Sequence, residues 1–151
     1  MYRALLFAGL FAAACLGSGA ASSQPACPHG DQSDISKKDV AFARDMQQAM
    51  EHDDREWFAD HTHYPMRYSF GAYQKTLFIR SRAEFLAKFD KLFIYNTIFA
   101  IRHTRPDCLL KEMGNVMMGD GEVWFGPFDA KGKPGTKVLL IVTIWTADQG
   151  L

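Results

Sequence analysis

The sequence lacks an excess of either charge, has little cysteine, and has no long apolar run beyond its N-terminal segment. Each shortage excludes something. Lysine plus arginine (17) balances aspartate plus glutamate (17), with no basic cluster. Such a surface has no electrostatic footprint for a phosphate backbone, so nucleic acid is not expected as a partner. The three cysteines contain no CxxC pair, which leaves a thioredoxin-like redox role without support. Gly119-Asp120-Gly121 reads as a hairpin turn, not as a glycine-rich loop feeding a helix, so no phosphate cradle is present. No strand-to-helix elbow surrounds Cys108, and a cysteine–histidine nucleophile using His103 or His61 is poorly supported. No internal repeat or linker divides the chain.

What is present is a globular composition. The 151 residues are 48% apolar and 23% charged, suited to one domain with a real core. Met1-Tyr2-Arg3 followed by ALLFAGLFAAACLG and a small, polar GSGAASS has the three parts of a secretory leader. Cleavage after Ala20 or Ala21 is expected, giving a leader over 1–21 and a polar tail over 22–34. The apolar run is too short to span roughly 30 Å of hydrocarbon securely, so export is favoured over an uncleaved anchor. Ala12-Ala13-Ala14-Cys15 also resembles a bacterial lipobox, with Ala12 where leucine is more typical. Lipidation at Cys15 would anchor the protein to the envelope without altering its fold. The expected location is the periplasm or outside the cell. In an oxidising compartment Cys27 and Cys108 either form a disulfide, closing a loop of about 80 residues, or remain two unrelated thiols with Cys108 buried.

The body from residue 35 onward reads as one domain. Ser36 and Asp39 have the spacing of a capping box. Val40, Ala43, Met46, Met50, Trp57 and Phe58 then form an interrupted helical stripe, with a bend predicted at Asp53-Asp54. After Pro65 the period changes to two: Met66, Tyr68 and Phe70 alternate with Arg67 and Ser69, predicting a half-buried strand. Gly71 turns the chain into a returning strand at Thr76–Ile79. Ser81-Arg82-Ala83-Glu84 predicts another capped helix carrying Phe85, Leu86, Phe89, Leu92 and Phe93, and a short helix with Ile98 and Ile101 follows. Asp120-Gly121 between Asn115–Met118 and Glu122–Phe125 is a strong hairpin signal. Residues 128–135 read as a loop rich in Gly and Pro, and Val138–Trp145 as a central strand. Helices followed by strands predict an α+β fold: N-terminal helices on a curved antiparallel sheet of four to six strands, with a tapered pocket between the layers.

Tyr64-Pro65, Ile79 to Phe85, Phe89 to Phe93 and Val116 to Phe125 carry a resemblance. Over about residues 37–147 the chain resembles small exported Gram-negative proteins of the nuclear transport factor 2-like superfamily. That resemblance implies a cone-shaped fold. It implies no activity, because the superfamily holds isomerases, dehydratases and cyclases beside immunity proteins and other non-enzymatic binding domains.

Several residues are candidates for chemistry. Asp90, beside Phe89 on a helix, is a general-base candidate if partly buried at a pocket margin; otherwise it is an exposed helix residue, or one that pairs with Lys91 or Arg82. Glu122 is a second candidate carboxylate, expected on the same sheet face as Trp124. Tyr68, Tyr95, Asn115 and Trp124 are candidate pocket residues, with Tyr68 also a candidate catalytic hydroxyl. His61 and His63 are a weak metal pair, since a zinc site needs three or four convergent ligands, and the bland alternative is a polar junction. No cofactor or metal is expected. The expected function is non-catalytic: binding a protein, peptide or envelope component through the sheet or pocket, with a homodimer left open. The alternative is a small isomerase, dehydratase or hydrolase using a pocket carboxylate on an apolar substrate. A filled interior and an exposed apolar sheet face would favour binding.

Overall fold

The computed structural model describes Cys27 and residues 34–71 and 75–147. The leader, the tail apart from Cys27 and Asp34, and the lipidation candidate Cys15 lie outside the described residues. Helix α1 (Lys37–Glu51) begins where predicted: the Ser36 hydroxyl accepts from the Asp39 N–H, and the Asp39 carboxylate accepts from the Ser36 N–H. Phe42, Ala43, Met46, Ala49 and Met50 fall on its buried face. The bend at Asp53-Asp54 exists, with Asp53 at φ 51° and Asp54 capping α2 (Arg55–Asp60).

Strand β1 (Thr62–Phe70) starts three residues before Pro65, which lies within it behind a cis peptide bond. It pairs antiparallel with β2 (Lys75–Ile79). Ser81 caps α3 (Arg82–Ala87) through the Glu84 N–H. The Glu84 carboxylate, however, accepts from the Arg80 N–H rather than completing a box on Ser81. The predicted third helix is broken at Lys88 into α3 and the short α4 (Phe89–Leu92), and α5 (Tyr95–His103) follows.

The remaining strands are β3 (Leu110–Glu112), β4 (Asn115–Met118), β5 (Val123–Ala130) and β6 (Lys133–Thr146). Together the strands make one six-stranded sheet in the order β2-β1-β6-β5-β4-β3. Residues 128–135, expected as a loop, belong largely to the β5–β6 ladder, where Phe128 pairs with Val138 and Asp129 with Lys137. Gly132 (φ 72°) supplies the tight turn between those strands.

Two features overturn the expected architecture. The sheet is mixed, because β1 runs parallel to β6 at its centre. It is also flat and open, with neither closure nor strong curl. The curved antiparallel sheet and the nuclear transport factor 2-like cone are therefore corrected to a generic α+β fold: helices on one face of a mixed sheet.

The space between the layers is filled. Phe58 lies 4.7 Å from Phe93 between ring centroids, Phe89 lies 4.3 Å from Phe93, and Phe42 lies 4.9 Å from Phe125. Phe58, Phe85 and Phe125 are completely buried, as are Met46, Met66, Ile79, Leu92 and Ile144. Each such side chain contributes about 1.5–3 kcal/mol through burial. Arg82 ties α3 to α2 by bridging Asp60 (2.6 Å) and Glu56. Cys27 and Cys108 are disulfide-bonded with Cα atoms 5.1 Å apart, fastening a point ahead of α1 to the approach to β3.

Candidate functional site

With the helices on one face, alternation along each strand sends every second side chain to the other. Strand registers align six of these into a row: Leu110 opposite Met117, Met117 opposite Trp124, Trp124 opposite Thr143, Thr143 opposite Arg67, and Arg67 opposite Phe78. One row over, Thr76 pairs with Ser69 and Ser69 with Trp145. The first row thus crosses all six strands and is apolar at both ends, with the cation Arg67 beside Phe78, one strand in from the β2 edge.

Two depressions follow this face. One, of about 370 Å³, is lined by Arg67, Ser69, Thr76, Asp120, Trp124 and Trp145 among others. The second, of about 310 Å³, is lined by Arg67, Glu112, Met113, Asn115, Trp124 and Thr143 among others. Arg67, Trp124 and Thr143 border both, so the two form one groove. Trp124 is held in place by its indole N–H, which donates to the Gly121 carbonyl at 3.0 Å. The indole nitrogen of Trp145 is buried and has no hydrogen-bond partner among the described residues. Arg67 is exposed and makes no ion pair or hydrogen bond among the described residues. Met113 sits at the β3–β4 turn with φ 49° and is 93% exposed, an apolar side chain on a backbone conformation that favours Gly, Asn or Asp.

A separate cleft of about 290 Å³ lies between the C-terminal end of α5 and the β4–β5 turn. Phe99, Ala100, His103, Cys108, Gly119 and Glu122 are among its lining residues. The His103 ring packs on Phe99 at 4.2 Å. The Thr104 hydroxyl accepts from the Gly119 N–H at 2.8 Å and donates to the Ala100 carbonyl at 2.6 Å, which fixes the turn against the helix. The Glu122 carboxylate accepts from the Asp120 N–H at 2.7 Å. No tyrosine among the described residues lines this cleft.

The predicted site residues are dispersed. Tyr68 is buried in the core, where its hydroxyl lies 3.2 Å from Thr146 Oγ1 and 3.4 Å from the Lys91 carbonyl. Tyr95 is 76% exposed on α5. Asp90 stands at the surface, paired with Arg55 at 2.8 Å rather than with Lys91 or Arg82. Glu122 and Trp124, expected on one face, line different cavities on opposite sides of the sheet. Strand alternation fails there because Glu122 belongs to a turn, and Gly121 at φ 113° redirects the chain before β5 begins. Asn115 lies at the groove, its Oδ1 over Gly126, where any side chain would collide with it.

His61 and His63 are engaged separately. His61 stacks on Trp57 at 4.2 Å and bonds to the Trp57 carbonyl, whereas His63 stacks on Phe128 at 4.1 Å. No group of three His, Cys, Asp or Glu residues among the described residues is disposed to hold a metal ion.

Arg67 was not among the residues singled out from the sequence. Its signal was present: a long cation at an outward position of an otherwise neutral strand. Its neighbours Thr143 and Trp124 arrive only through pairing across more than 50 positions of chain. Comparison of the sequence with family models, curated proteins and solved structures returned no match, so the functional reading rests on this geometry alone.

Proposed function

We propose that the protein is an exported, non-catalytic binding domain that takes a protein or peptide across the open face of its sheet. The observation that carries this reading is the asymmetry of the two faces. One is packed with phenylalanine and methionine from the helices and the sheet. The other presents Arg67, Trp124 and Trp145 in a continuous groove, with Phe78 beside Arg67 on the same face. Tryptophan and arginine are the side chains that most often dominate binding energy at interfaces. Export is supported by the leader-like N-terminus and by a disulfide that needs an oxidising compartment.

The test compares capture from an envelope extract by the mature protein, made with its own leader in an oxidising compartment, and by two variants. Trp124→Ala should lose a retained protein component while keeping its thermal transition, and Glu122→Gln should keep that component. Retention by Trp124→Ala with loss by Glu122→Gln would move the function to the α5 cleft and revive small-molecule chemistry.

A further inference from the structure

We infer that the open face is the interface of a symmetric dimer, in which the sheet of a second copy of this chain lies on it and Arg67 of each copy meets Glu112 and Asp120 of the other. This deepens the docking reading above and rests on it, since it names the protein that the face takes. Three observations carry it.

The first is a division of charge across the face. Arg67 stands exposed on β1, one strand in from the β2 edge. Glu112 on β3 and Asp120 at the β4–β5 turn are exposed on the opposite side of the sheet. None of the three is ion-paired among the described residues. The face is therefore positive on one flank and negative on the other. The complement of such a face is the same face turned round.

The second is what a two-fold axis does to that pattern. Flat sheets stack about 10 Å apart with their strands nearly aligned. An axis lying between two such sheets and parallel to their strands, above the boundary of β6 and β5, exchanges β1 with β4 and β2 with β3. Arg67 then falls over Met117 of the second copy, because the two share a row. Asp120 lies three residues beyond Met117, and Glu112 pairs with Asn115, two residues before it. Each guanidinium thus stands between two carboxylates of the other copy, one on either side along the strands. An axis in the same plane but perpendicular to the strands lays each strand over its own counterpart and sets like charges together. Charge selects the first axis.

The third is the apolar content and size of the face. The same rotation sets Phe78, 53% exposed, over Leu110 of the second copy, and Trp124 over Thr143 close to the axis. A tryptophan near the centre of an interface is the usual dominant contact. Six strands about 4.8 Å apart span about 29 Å, and the 8 residues of β5 run about 26 Å. The face therefore covers at most about 750 Å² per copy. A standard interface takes about 800 Å² per partner, and smaller ones are transient. The dimer is dissociable, with a Kd on the order of 10 μM, and dilute solutions hold the monomer.

The experiment is sedimentation velocity on the full mature protein between about 1 μM and about 1 mM. Wild type should pass from monomer to dimer across that range. Arg67→Glu sets like charges at both contacts and should raise the Kd at least about tenfold, and the double variant Glu112→Arg/Asp120→Arg should do the same. An equimolar mixture of these two proteins should regain the wild-type Kd, since both of its contacts then join opposite charges. Recovery in the mixture also shows that both variants fold. A wild type that stays monomeric, a dimer indifferent to either charge change, or a mixture that stays monomeric would each overturn the inference. Envelope capture decides the broader reading separately: a different retained protein, lost in Trp124→Ala while wild type shows no self-association, would overturn the dimer and keep the open face as a docking surface.

Discussion

The carboxylate of Asp39 and the ammonium of Lys111 meet at 3.0 Å although 72 positions separate them in the chain. Asp39 therefore caps α1 and fastens it to the edge strand β3 at once. Burial by itself would raise its carboxyl. Hydrogen bonds from the Ser36 backbone, Lys111 and the Ser36 hydroxyl outweigh that and hold it below the usual 3.8. The stability linked to a depressed carboxyl is present above the unfolded value and is lost as pH falls through the folded one. Wild type should thus lose stability from about pH 4 downward. In Asp39→Asn that portion of the acid dependence should vanish, and stability at neutral pH should drop by about 1–3 kcal/mol. Urea midpoints of the two proteins between pH 2.5 and pH 7 would check this; parallel curves would contradict it.

The disulfide between Cys27 and Cys108 spans 81 positions, so removing it should be felt mainly by the unfolded chain. Chain entropy alone assigns such a loop about 4 kcal/mol, and native disulfides typically contribute about 2–4 kcal/mol. The double variant Cys27→Ser/Cys108→Ser should fold with a lower urea midpoint and a slope altered by its expanded unfolded state. An unchanged midpoint would mean that the cross-link acts on something other than the domain's stability.

Phe58 is completely buried and has Trp57, Phe89 and Phe93 as ring neighbours, so it joins α2 to α4 and to the residue that ends α4. Phe58→Ala should cost about 3–5 kcal/mol, the upper range for a large side chain whose surroundings collapse only partly. Phe78→Ala, at a side chain 53% exposed on the open face, should cost less than about 1 kcal/mol. Comparable losses at the two sites would show that the open face is covered in the folded protein.

Gly119 sits where the β4–β5 turn meets α5. It has φ 69°, and a Cβ there would come within 2.7 Å of the Ala100 Cβ and also strike the Glu122 carboxylate. Gly119→Ala should therefore be destabilising by about 2–3 kcal/mol, combining left-handed strain with overpacking. Ala100→Gly should recover part of that loss in the double variant by opening the helix side of the contact. Chemical denaturation of the four proteins measures the coupling; strict additivity would place the strain in the backbone alone.

Legibility in the sequence followed the range of the interaction. The Ser36–Asp39 box, the Asp53-Asp54 bend and the Asp120-Gly121 hairpin involve residues within a few positions of one another, and all three are found. Ser81 caps α3 as expected, but the Glu84 carboxylate accepts from the Arg80 N–H, one residue before the position that a closed box requires. The β5–β6 hairpin was concealed by Pro134 and Gly135, which the ladder absorbs at a register shift between Asp129 and Ala130. The parallel β1–β6 pairing left no local trace, since it joins residues more than 70 positions apart. Curl is likewise a property of the whole sheet, and element order alone could not distinguish a flat sheet from a cone. The groove suffered the same fate: Trp124 alone was singled out from the sequence, and Arg67 and Thr143 join it only through register.

The parallel pairing also sets the order in which the protein is able to fold. Strand β6 lies between β1 and β5, yet it is the last of the six to be made. Until residues 133–146 are available, β1 and β2 form an isolated hairpin, and β3, β4 and β5 form a second piece with no partner on its long inner edge. The two-stranded hairpin is marginal alone, and the three-stranded piece leaves the backbone groups of that long edge unpaired. The chain should therefore stay open during synthesis and close in one late step as β6 enters, with the slow kinetics of long-range strand pairing.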